Sequence, residues 1–285
     1  MINSIVEVME KLIRDSIALL RKGERLALAL NPENGYFLAF SGGKDSQVLM
    51  ALCDMAGVKY TAYYQVTGND PPKNVYFIRE HYPSVRFLHP KRNYFRLVEV
   101  SGLPTIQRRF CCDKLKERIG AGNVVLTGVR AEESKRRAQY EAVEIFSRRA
   151  EHRGKPRGRS VEQIMENEHQ CIKGQDRVML RPMLEWTEED VWRFIREYGL
   201  PVNPCYRETG RVGCMFCPFS NRGQIGMYET EYPLYKEALL RSLRKYWQRV
   251  PEHMLPSPEE YYEWWKSKKT VRAYLKERGI TDGEK

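Results

Sequence analysis

Residues 36–57 read YFLAFSGGKDSQVLMALCDMAG. The first five are a continuous apolar run, the pattern of a strand buried on both faces. They meet a polar turn holding Gly42 and Gly43, and apolar positions then resume at helical spacing until Gly57 closes the segment. Strand, glycine turn and helix in that order describe a phosphate loop. The glycines let backbone N–H groups close around an anion, and the helix start adds the positive end of its dipole. A Walker A loop requires a glycine five positions before Gly43, where Leu38 stands, so the pattern is not that of ordinary β/γ-phosphoryl transfer.

Working outward, residues 60–66 (YTAYYQV), 86–89 and 124–127 (VVLT) are further short strands, with helical stretches such as 74–81 between them. Strands alternating with helices predict an α/β fold, a Rossmann-like doubly wound and mainly parallel sheet. Residues 1–30 form an N-terminal helix, with Ile5, Val8, Met9, Leu12, Ile13, Ile17 and Leu20 at helical spacing that fades near 21–23. The nucleotide domain is assigned to 31–222, with a flexible basic insertion over about 140–176, and 223–285 to a helical C-terminal tail.

The chain has 285 residues, 42% of them hydrophobic, enough for a sizeable core. No run approaches the length of a membrane span and the opening helix carries Glu7, Glu10 and Asp15, so a cytoplasmic protein without membrane contact is expected. The net charge of +11 favours polyanionic partners. Residues 130–160 alone hold ten Lys/Arg against five Glu, read either as a solvated face or as a nucleic-acid contact. Seven cysteines, an odd number with spacings such as Cys111-Cys112 and Cys214-x-x-Cys217, point away from a disulfide framework and toward metal or redox chemistry.

The stretch SGGKDS at 41–46 resembles, without mismatch, the PP-loop of the N-type ATP pyrophosphatases, which cleave between the α- and β-phosphates. GVRAEESKRRA at 128–138 resembles the GxRxxESxxRA segment of the phosphoadenosine phosphosulfate (PAPS) reductase family. RPMLEWTEEDVW at 181–192 is similar to that family's RPLxxWTxxDVW signature, with Met183 in place of leucine. The resemblance covers about 36–222 and implies an adenine nucleotide α-hydrolase-like fold. It further implies that Ser41, Gly42, Gly43, Lys44, Asp45, Ser46, Gly128, Arg130 and Arg137 bind an adenylyl nucleotide, ATP with Mg²⁺. Lys44, Asp45 and Arg130 would carry the catalysis, since a guanidinium can grip an anion with two hydrogen bonds. The 181–192 segment reads as a capped helix with packed tryptophans, hence as scaffold.

Cys111-Cys112 and Cys214-x-x-Cys217 resemble the ligands of the [4Fe–4S] cluster in adenylyl sulfate reductases. Zinc is the second candidate, less suited to adjacent cysteines, and free or transiently oxidised thiols the third. Cys53 reads as core, while Cys171 and Cys205 stand open between redox thiols and buried structural residues. In the assimilatory reductases the nucleophile is a tail cysteine, and none follows Cys217. Together with the complete SGGKDS, this turns the expectation from sulfated nucleotides to ATP: an acceptor oxygen attacks the α-phosphorus, pyrophosphate leaves, and sulfur then displaces AMP. The acceptor would be tRNA or DNA, served by a sulfur-donor or electron-donor protein. Competing readings are a reductase using Cys171, Cys205 or a partner's thiol, a sulfate-activating subunit that needs no such cysteines, and a nucleotide-gated nucleic-acid-binding module without turnover.

Overall fold

A computed structural model describes residues 2–146, 160–167 and 176–279, with side chains from residue 7 onward. In chain order the elements are α1 (Ile2–Leu30), β1 (Tyr36–Ala39), α2 (Lys44–Ala56), β2 (Tyr60–Gln65), α3 (Pro72–His81), β3 (Arg86–Leu88), α4 (Tyr94–Ser101) and α5 (Phe110–Leu115). There follow β4 (Val124–Leu126), β5 (Val143–Phe146), α6 (Val161–Asn167), β6 (Arg177–Leu180), α7 (Glu188–Glu197) and α8 (Cys205–Thr209). The last four are α9 (Arg222–Glu231), α10 (Pro233–Arg249), α11 (Pro258–Ser267) and α12 (Val271–Arg278). They divide into two compact units. The first comprises 1–65, 73–88 and 118–212; the second, 66–72, 89–117 and 213–285.

The first unit is built on a six-stranded sheet in the order β3-β2-β1-β4-β6-β5. Pairing is parallel throughout except for β5, which runs antiparallel on β6 with Val143 opposite Leu180. Strand β4 is buried along its whole length and β1 nearly so, which accounts for their unbroken apolar sequence. The chain leaves β1 toward β2 and β3, then returns to place β4 on the other side. The order therefore reverses between β1 and β4, the place where open α/β sheets bind ligands. The Rossmann-like, mainly parallel sheet read from the sequence is the one observed.

Strands β5 and β6 were not legible beforehand. Within 140–176, read from sequence as a flexible insertion, β5 and α6 are regular, while 147–159 and 168–175 lie outside the described residues. Strand β5 is held by β6 and by the Arg181–Glu144 ion pair (3.0 Å), a nonlocal pairing that no local pattern announces. The second unit is helical, its core formed by Tyr94, Leu97, Val98, Met215, Phe216, Leu239 and Trp265 among others. The C-terminal segment thus packs with 66–72 and 89–117, which sequence alone had assigned to the nucleotide domain.

Helix α1 runs seven residues past Gly23, where the apolar spacing fades. It buries Met9, Ile13, Ser16, Leu20 and Ala27 at successive three- or four-residue steps, with Gly23 on the same stripe. A Cβ at Gly23 would stand 2.5 Å from the Tyr36 hydroxyl, which itself donates to the Leu20 carbonyl (2.6 Å). Gly23 therefore marks where the helix touches β1, not where it stops. Gly23→Ala should destabilise the chain by about 1–3 kcal/mol in urea unfolding, the usual scale for overpacking, although alanine is the better helix former by about 1 kcal/mol. Adding Tyr36→Phe should recover part of that loss; a stabilised G23A would show that helix propensity, and not this contact, governs the site.

Candidate functional site

The carboxyl end of β1 hands the chain to 41–46 at the reversal point of the sheet. Gly42 adopts φ 77°, and a Cβ there would meet Asn74 Oδ1 at 2.4 Å, so both backbone and space demand glycine. Gly43 opens α2 in an extended conformation without a side-chain cap. The loop is tied by its own hydroxyls. Ser46 Oγ donates to the Gly43 carbonyl (2.8 Å) and accepts from the Ser41 N–H (3.2 Å), while Ser41 Oγ accepts from the Gly43 N–H (3.2 Å). The two hydroxyls sequence analysis assigns to phosphate thus also set the loop's shape.

Outside the loop stands a buried amide brace. Asn203, fully buried, donates to the Gly42 carbonyl (2.9 Å) and to Asn74 Oδ1 (2.7 Å), and Asn74 donates to the Ser41 carbonyl (3.2 Å). The Lys44 N–H at the start of α2 donates to the Tyr206 hydroxyl (2.9 Å). Burial pushes the Tyr206 phenol well above its ordinary pKa, so it stays neutral and available as a hydrogen-bonding group. The Lys44 ammonium lies 3.2 Å from Asp45 Oδ2 and 3.6 Å from Glu188 Oε1.

The segment after β4 closes on the same loop. A Cβ on Gly128 would lie 2.7 Å from the Asp45 carbonyl oxygen, so the two backbones touch only because residue 128 has no side chain. Two residues on, the buried Arg130 guanidinium donates through Nε to Asp45 Oδ1 (2.7 Å) and through Nη1 to Glu132 Oε2 (2.8 Å). Burial works against the arginine's charge, but Asp45, Glu133 and Glu132 outweigh it and raise its pKa. Glu132 also accepts the N–H of Glu188 (2.6 Å) at the start of α7, linking the second motif to the third. Thr187 and Asp190 cap α7 reciprocally, and the buried Trp186 donates to Ser16 (3.0 Å), as expected of scaffold. Arg137 differs from Arg130: it stands one turn further on and pairs with Glu133 rather than with the loop.

The second unit assembles the cysteines. Cys111 and Cys112 sit on α5, and Cys214 and Cys217 on the turn before α9. That turn is gripped by Asn69, which is 1% exposed: its backbone carbonyl takes the Met215 N–H (2.9 Å), and its side-chain amide exchanges hydrogen bonds with the Phe216 backbone (both 3.1 Å). The buried Tyr94 hydroxyl donates to the Phe216 carbonyl as well (3.1 Å). A hydrogen bond between the first two thiols lowers the Cys112 pKa to about 6 against the opposing effect of burial, with Lys116 and Arg109 assisting, and raises that of Cys111. Burial raises Cys214 although Lys116 opposes it; Cys214 in turn raises the Lys116 pKa.

Cys214 acts electrostatically on Cys111, as Cys217 does on Cys214, yet among the described residues no three His, Cys, Asp or Glu side chains are arranged to hold one metal ion. Cys53 and Cys205 are buried, and Cys171 lies outside the described residues. Asn74, Asn203, Tyr206, Glu132, Glu188 and Asn69 were missed by sequence reasoning. Glu132 and Glu188 lie within the quoted motifs at 128–138 and 181–192 but at positions given no role. Asn74, Asn203, Tyr206 and Asn69 are single polar residues brought to their places by distant segments, and of these only the NPCY stretch stood out locally, for its cysteine.

A family model for the phosphoadenosine phosphosulfate reductase domain matches residues 35–220. An uncharacterized protein of Methanocaldococcus jannaschii is 25% identical over 224 residues, covering 73% of this chain and 41% of the relative. The adenosine 5′-phosphosulfate reductase of Allochromatium vinosum is 26% identical over 116 residues, covering 39% of this chain and 35% of the enzyme. The chain thus matches less than half the length of either relative. Among solved structures, a Candida glabrata FMN adenylyltransferase with FAD and inorganic pyrophosphate aligns at 15% identity and a TM-score of 0.47, covering 74% of this chain and 64% of that one. With the family match spanning the phosphate loop, both following motifs and all four paired cysteines, the chain belongs to the phosphoadenosine phosphosulfate reductase family.

Proposed function

We propose that this protein binds Mg·ATP on the 41–46 loop and cleaves it to AMP and pyrophosphate, activating an acceptor oxygen for sulfur transfer. The observation that most supports this reading is the complete SGGKDS loop at the sheet's reversal point, with Arg130 held against Asp45. In this reading Gly42 and Gly43 give the phosphates backbone access, and the start of α2 offers its N–H groups and dipole. Lys44 and Arg130 offset phosphate charge, while Asp45, held in place by Arg130, positions Mg²⁺ or the loop. The acceptor oxygen forms a bond to the α-phosphorus as the bond to pyrophosphate breaks, leaving an acceptor adenylate. Positioning and charge stabilisation supply most of the rate.

Cys111, Cys112, Cys214 and Cys217 would hold a [4Fe–4S] cluster, whose chemistry when bound is to supply sulfide or electrons. The donor set suits such a cluster, where each thiolate binds its own iron, better than a single ion needing all four sulfurs about one centre. Lys116 adds positive charge beside Cys214, which favours thiolate over thiol. The net charge of +11 fits a nucleic-acid acceptor, tRNA or DNA, with a separate protein as sulfur or electron donor.

Calorimetry of anaerobically prepared protein should show tighter binding of Mg·ATP than of adenylyl sulfate or PAPS. A clear preference for either sulfated nucleotide would return the chain to reductase chemistry. Lys44→Ala should weaken ATP binding by roughly ten- to a hundredfold, the scale of one charged hydrogen bond. Gly128→Val, which must push the Asp45 backbone away, should weaken it at least as much; unchanged affinity would show that the second motif does not shape the loop. Replacing Cys112 and Cys217 together with serine should remove most of the iron and visible absorbance. Retention of both would disprove the four-cysteine assignment.

A further inference from the structure

Immediately after Cys217 the second unit forms a cleft of about 290 Å³, lined by Ile106, Gln107, Pro218, Trp264, Trp265 and Lys268 among others. Its volume is at the low end for small-molecule sites, room for one flat ring system with a short substituent. The walls are aromatic and the rim is cationic. Trp264 stacks one face on Tyr261 (centroids 5.3 Å, 13°) and is fixed through its indole N–H to the Lys269 carbonyl (2.9 Å). Trp265 is fixed to the Pro104 carbonyl (2.6 Å). Nearby, Arg108 lies over Phe110 and Arg109 over Phe219, whose ring is half exposed.

Lys268 is the most telling residue. It caps α11 with φ 59°, the one non-glycine residue with positive φ among those described, at a position where glycine is the ordinary choice. Its ammonium spans the cleft, donating to the Pro218 carbonyl (3.0 Å) and lying 4.4 Å from the centre of the Trp265 ring. A lysine kept in a conformation that favours glycine, with its charge turned onto the residue following Cys217, marks the cleft as a built feature.

We propose that this cleft binds an unpaired base of a single-stranded nucleic acid, stacked on its tryptophan wall, with the flanking phosphates on Lys268, Lys269, Arg108 and Arg109. Rigid aromatic faces interleaved with arginine and lysine are what single-strand binding uses, since every base has a π-face and every linkage a charge. A protein partner would engage the exposed Phe219 outside the lining and leave the narrow, cation-spanned cleft unused. The inference rests on the reading of a nucleic-acid acceptor and places that acceptor's nucleotide beside Cys217.

The test is fluorescence anisotropy with fluorescein-labelled U12 and dT12 strands and a labelled 12-base-pair duplex, on the full chain. Both single strands should bind, the duplex more weakly, with affinity falling linearly in log salt; U12 against dT12 distinguishes an RNA from a DNA ligand. Trp264→Ala should weaken single-strand binding about tenfold while Trp264→Phe, which keeps a stacking face, should retain most of it. Lys268→Gly suits the helix cap better than lysine, so folding is not in question; it should weaken binding and reduce the salt slope by about one. Equal binding of strand and duplex, or wild-type affinity in both Trp264→Ala and Lys268→Gly, would overturn the proposal. ATP titration of the unaltered chain reports on the phosphate loop alone. Strand binding that persists where ATP binding fails would support the cleft and sink only the ATP-cleaving reading.

Discussion

The constraint on which the candidate site of the first unit depends is the contact between the backbone of Gly128 and that of Asp45. The two segments leave adjacent strands, β4 and β1, at the point where strand order reverses. A Cβ at residue 128 would lie 2.7 Å from the Asp45 carbonyl oxygen, closer than a Cβ carbon comes to any non-bonded atom. That approach lets Arg130, two residues later, reach Asp45 at 2.7 Å and lets Glu132 accept from the start of α7. Each link of the loop–arginine–helix chain depends on the one before, so the geometry of the site is set by packing before any charge is considered.

A buried asparagine serves the same purpose in each unit. Asn203 holds the Gly42 carbonyl and Asn74 in the first; Asn69 holds Met215 and Phe216, between Cys214 and Cys217, in the second. A side-chain amide carries both donors and an acceptor, so one residue can satisfy several backbone groups of an irregular loop that has no ladder to join. Buried and fully bonded, such amides rigidify a loop; with a partner lost they cost more than they contribute. Loops meant to present N–H groups or thiols in a set shape need such bracing because they lack regular hydrogen bonding of their own.

The charges follow the same economy of position. Asp45 sits between Lys44 and Arg130, and the buried arginine stays ionised because three carboxylates offset its desolvation. Around the cysteines, the hydrogen bond from Cys111, assisted by Lys116 and Arg109, draws Cys112 down while burial holds Cys214 up, so these thiols differ in their readiness to ionise. Lys268 is a further cation, held against the carbonyl of Pro218 from a backbone conformation unusual for its residue type.

Sequence alone determined the α/β class and the strand–loop–helix at 36–57, because each is local: a buried strand is a run of apolar residues, and a tight turn from strand into helix needs glycine. It also located Gly128 and Arg130 by motif. Tertiary structure alone decided the rest. The extension of α1 past Gly23 depends on Tyr36, β5 on its pairing with β6, and the second unit on bringing 66–72 and 89–117 to the C-terminal helices. Asn203, Tyr206 and Asn69 become site residues only through contacts 129 to 162 positions away in sequence. A single buried polar side chain leaves no periodic trace, and its partner is chosen by the fold.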